Sequence, residues 1–130
     1  MKRTIARAHY GKLIFIGQVE AETHHVLFPA FDVVLTRAGG GTVNDAIACR
    51  VPLVLVEEPG MWQVEQIRQS CVALQIAESV TLEEFKLRGR DCVETDDGQL
   101  KRLKEQQERM QRIPNHGEVW LCQELLALIE

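Results

Sequence analysis

The chain has 130 residues, 45% of them apolar and 26% charged, with 15 Lys and Arg against 19 Asp and Glu for a net charge of −4. This is the length and composition of one ordinary globular domain with enough apolar content for a core, and its acidic balance, without a sustained basic run, argues against nucleic acid as a partner. No apolar run approaches the roughly 20 residues of a membrane span, and the basic start at Met1–Arg7 leads into no signal-peptide apolar region, so the chain reads as cytoplasmic.

Residues 1–11 carry no clear period and are expected to be a loosely ordered lead-in to a single domain over 12–130. Leu13–Ile16 is a short apolar run ending at Gly17, which suits a buried parallel strand. Residues 23–30 suit a short helix with Thr23 as N-cap, its length limited by Pro29. Asp32–Thr36 is a strand rich in β-branched residues, running straight into Arg37-Ala38-Gly39-Gly40-Gly41. From Thr42 the pattern turns helical, with Val43, Ala46 and Ile47 facing inward. Pro52 opens a third strand, Leu53–Val56, closed by Glu57-Glu58-Pro59-Gly60.

Met61, Val64, Ile67, Cys71 and Leu74 then recur at three- and four-residue steps, one apolar face of a helix whose other side carries Gln63, Gln66, Gln69 and Ser70. Gln75–Ala77 is a candidate final strand. Thr81 to Glu84 forms a capping box at the start of the next helix. Leu100, Leu103, Gln107 and Met110 mark a narrow stripe on a charged helix ending before Pro114. A last helix, from about Gly117 to Ile129, is apolar on most sides and needs burial on more than one face. Short apolar strands alternating with amphipathic helices predict an α/β sandwich with a parallel sheet, in which ligands bind at the carboxyl ends of the strands.

The four cysteines are widely spaced and form no C-x-x-C pair, which suits buried or half-buried thiols rather than a zinc site or a disulfide framework. His24 and His25 have no partner at helical spacing and read as surface residues, so no metal site is expected. Glu57 and Glu58 sit where a catalytic carboxylate can occur but have no defined partner, and read as exposed loop charges.

Chemistry concentrates at the strand, glycine loop and helix over 32–49. Three consecutive glycines let the backbone approach a bulky anion, and a helix start leaves N–H groups free with a partial positive charge. Thr42 adds a hydroxyl donor, and Arg37 is the available charge complement. The competing reading is a tight turn that merely needs glycine, and composition alone leaves both open. The spacing differs from G-x-G-x-x-G and from the P-loop, so neither a nicotinamide cofactor nor ATP hydrolysis is favoured.

The run Asp32-Val33-Val34-Leu35-Thr36-Arg37-Ala38-Gly39-Gly40-Gly41-Thr42-Val43-Asn44-Asp45-Ala46 resembles the signature of the C-terminal domain of GT-B nucleotide-sugar glycosyltransferases, especially the UDP-N-acetylglucosamine transferases of peptidoglycan precursor synthesis. Val51–Val56 followed by Gln63, Glu65, Gln66 and Gln69 continues the pattern in order, and the likeness spans about residues 13–78. It implies a truncated Rossmann-like three-layer sandwich. Gly39, Gly40, Gly41 and Thr42 would hold the donor diphosphate. Asp45 would hold the ribose, where the family usually has glutamate. Gln66, and Gln69 in place of a typical asparagine, would lie near the transferred hexosyl or N-acetylhexosaminyl group.

The resemblance implies a UDP-sugar as substrate and no resident cofactor, because helix-terminus donors stabilise the departing diphosphate. The family's N-terminal acceptor domain, with its general base, has no counterpart here, so no catalytic residue is assigned and the chain alone is expected to be inactive. Leu13–Ile16 resembles the third strand of the family sheet and Asp32–Thr36 the fourth, and the central first strand is missing. Self-association is therefore expected, through that edge and the apolar last helix. The alternatives are a subunit of a split transferase, reaching a membrane only through its partner, and a noncatalytic interaction module of the same fold.

Overall fold

The computed structural model describes residues 8–10, 13–15, 23, 26–93, 97–113 and 125–129. Leu13–Phe15 (β2) is extended, but it pairs antiparallel with Ala8–Tyr10 (β1) as a separate two-stranded sheet, with Ala8 opposite Phe15 and Tyr10 opposite Leu13. The expected parallel placement of this strand is thus corrected. Only two residues separate β1 from β2, and a parallel pair needs a crossover of a dozen residues or more. The strand Ala8–Tyr10 also falls within the stretch expected to be a loose lead-in.

The main sheet has three parallel strands, Val34–Arg37 (β3), Leu53–Val56 (β4) and Ala77–Val80 (β5), in the order β3-β4-β5. Arg37, Val56 and Val80 lie in register at the carboxyl edge. All four residues of β4 are buried. Leu53 and Leu55 join a cluster with Val43, Ala46, Val64, Cys71 and Ile76. Strand alternation turns Val54 and Val56 to the other face, so the middle strand is covered on both sides, as a parallel sheet requires.

The helices Gly40–Cys49 (α1) and Trp62–Ala73 (α2) supply the first cover, burying Val43 and Ala46, and Val64 and Cys71. They are the β3-to-β4 and β4-to-β5 connections, and right-handed crossovers between strands added in one direction put both on the same face. After the short helix Leu82–Arg88 (α3), the helix Asp97–Gln111 (α4) runs past the amino ends of the strands, with Met110 in the same buried cluster. Arg102 pairs with Glu78, which shares the face of Val54. The Leu53 N–H donates to Gln106 Oε1 at 3.3 Å, and Gln107 Nε2 and Arg109 Nη1 donate to the carbonyls of Arg50 and Gln75 at 3.1 and 3.2 Å. The fold is α/β, a short parallel sheet flanked by helices, compatible with a Rossmann-like arrangement.

Several boundaries and faces differ from the periodic reading. Both α1 and α2 end in a residue of positive φ, Arg50 at 57° and Gln75 at 58°. Val51 N–H bonds to the Ala46 carbonyl and Ile76 N–H to the Cys71 carbonyl, the Schellman arrangement. That turn carries the chain past Gln75, so β5 begins at Ala77 rather than two residues earlier. In α4 the buried residues are Gln99, Leu103, Gln106 and Met110, while Leu100 is 50% exposed. The helix is rotated from the expected stripe of Leu100, Leu103, Gln107 and Met110, and the Gln106 side chain satisfies the backbone donor at the start of β4. Phe28–Ala30 is a 3-10 turn with Pro29 in its first turn. The expected last helix lies mostly outside the described residues, and residues 125–129 are helical. His24, His25 and Cys122 also lie outside them, while Cys71 and Cys92 are buried thiols and Cys49 is half-buried.

Candidate functional site

The glycine run is a helix start rather than a loop. Gly39 is the N-cap of α1, in extended backbone at φ −71° and ψ 136°, and Gly40 and Gly41 are its first two helical residues. The expected start at Thr42 is therefore two residues late. None of the three has a positive φ; among the described glycines only Gly60 and Gly89 do. A Cβ on Gly39 or Gly41 would meet nothing within 4 Å, and one on Gly40 would make an ordinary 3.7 Å contact with Ile67 Cδ1. Neither backbone conformation nor internal packing calls for glycine here. The pure-turn reading of the run thereby loses its physical basis.

The first intrahelical donor is Val43, whose N–H bonds to the Gly39 carbonyl at 3.0 Å. The N–H groups of Gly40, Gly41 and Thr42 precede it and lie beyond the reach of the helix ladder. The N-cap has no side chain to accept from them, and no acidic residue stands in the first turn. Asp45, half-buried, follows Gly41 by four residues and Thr42 by three, which puts all three on one side of α1. Gln66 and Gln69 are exposed on α2, as is Gln63. Ile67 Cδ1 lies where it would meet a Cβ on Gly40, which sets α2 beside the first turn of α1.

A charged network, unread in the sequence, occupies the carboxyl edge of the sheet. Arg37 Nη1 donates to both carboxylate oxygens of Glu58, at 3.2 and 3.1 Å. Arg37 is thus engaged across the sheet instead of facing the glycine run, and Glu58 is paired rather than a free loop charge. The Glu58 N–H donates to Glu65 Oε1 at 3.0 Å. Arg68 donates to Glu65 at 2.6 Å and to Ser79 Oγ at 2.9 Å, and lies 3.9 Å from Glu57. The Arg68 guanidinium, with help from the Glu58 N–H, holds the Glu65 carboxyl below the usual carboxylate range. The same Glu65 hydrogen bond pushes Arg68 further up, and burial pushes the Cys71 thiol up. The three-residue spacing of Glu65 and Arg68 was a visible signal on a predicted helix; the bond to Ser79 was not, since it spans two elements.

On the face opposite α1 a groove of about 450 Å³ opens between the ends of β3 and β4 and α3. Leu35, Val56, Leu82 and Phe85 give it apolar walls, and Arg37, Glu57 and Glu58 stand at its mouth. Among the described residues no group of three or more His, Cys, Asp and Glu could hold a metal ion, and no helix is long and apolar enough to cross a membrane. The sequence matches no protein-family model and no curated protein.

Proposed function

We propose that this chain is the donor-binding part of a nucleotide-sugar glycosyltransferase of GT-B type, taking the diphosphate of a UDP-sugar at the first turn of α1. The observation that carries this reading is a run of glycines that the fold does not need. Each helical glycine costs up to about 1 kcal/mol relative to alanine. The open space above Gly39 and Gly41 supplies a reason for bearing that cost, because bare backbone lets a bulky anion reach the unused N–H groups. Thr42 adds a donor beside them, and Asp45, one turn along the same side, suits a ribose hydroxyl. Gln66 and Gln69 are the proposed contacts to the transferred hexosyl or N-acetylhexosaminyl group.

The proposed assignment is only half a transferase. The acceptor site and general base belong to an N-terminal domain or a partner subunit, as in a split enzyme. The edge of β3 supports incompleteness, since among the described residues it pairs with β4 alone. One observation favours the second reading, a noncatalytic module: Arg37, the cation nearest the glycines in sequence, is taken up by Glu58.

Calorimetric titration with UDP and UDP-N-acetylglucosamine tests the proposal. Binding that disappears when Gly41, where an added side chain meets open space, is replaced by a bulkier residue, with the domain shown to be folded, supports it. Silence at millimolar ligand, with the domain shown to be folded, removes it.

A further inference from the structure

We draw no further inference here: the strongest candidate, the apolar groove of about 450 Å³ between the ends of β3 and β4 and α3, carries none because nothing in the structure shows what covers it.

Discussion

Arg37 and Glu58 lie 21 residues apart and meet at the carboxyl edge of the sheet, one guanidinium nitrogen donating to both carboxylate oxygens at 3.2 and 3.1 Å. Their side chains are 58% and 35% exposed. The pair ties the end of β3 to the loop after β4, and it occupies the cation that stands two residues before the N-cap of α1.

An exposed pair of this kind contributes little to stability, about 0–1 kcal/mol. Arg37→Met and Glu58→Gln should therefore shift the thermal midpoint only slightly. Under the donor-site proposal their effects on diphosphate binding are opposite. Glu58→Gln releases the guanidinium and should tighten UDP binding severalfold, while Arg37→Met should leave it unchanged or weaker. Calorimetry on both variants checks this, and tighter binding by Arg37→Met would speak against any role for the cation.

Gly41 offers a test in which stability and binding move in opposite directions. It is helical, exposed and has room for a Cβ. Gly41→Ala should raise stability by a few tenths of a kcal/mol, up to about 1. It also sets a methyl group beside the free N–H groups, so UDP affinity should fall. A variant that is both more stable and equally avid would show that the bare backbone serves no ligand.

Acid should act through Glu65. Its folded-state pKa is depressed, first by the Arg68 hydrogen bond and then by the Glu58 N–H. A depressed carboxylate contributes stability that is fully present above its unfolded value and is lost as pH falls through the folded one. Thermal midpoints should hold steady from neutral pH down to the ordinary glutamate range and fall below it. Glu65→Gln should be less stable than the parent at neutral pH and should flatten that acid limb. An unchanged limb would place the acid sensitivity elsewhere.

Gln106 is 3% exposed, and its Oε1 accepts from the Leu53 N–H at 3.3 Å. Gln106→Leu keeps the volume but leaves a buried donor unsatisfied at the start of β4. The expected cost is about 1–3 kcal/mol, read from urea denaturation. Gln107→Leu, one residue along and exposed, loses only a surface bond to the Arg50 carbonyl and should cost less than half as much.

Local pattern was enough to determine the parts of this protein that depend on near neighbours. Leu53–Val56 is apolar at every position and became the doubly buried strand; Val43 and Ala46, and Val64 and Cys71, turned inward at helical spacing. The Thr81 hydroxyl accepts from the Glu84 N–H at 3.0 Å, as its capping pattern required. Glycines 39–41 could be singled out, but not explained. Only the tertiary structure decided that they begin a helix with negative φ and open space, and so removed the turn as their reason. It alone paired β2 with β1, rotated α4 onto two buried glutamines and gave Arg37 to Glu58. Each of these depends on which groups meet after the chain has closed, and a periodicity measured along one element carries no information about the donor, the strand or the charge waiting on another.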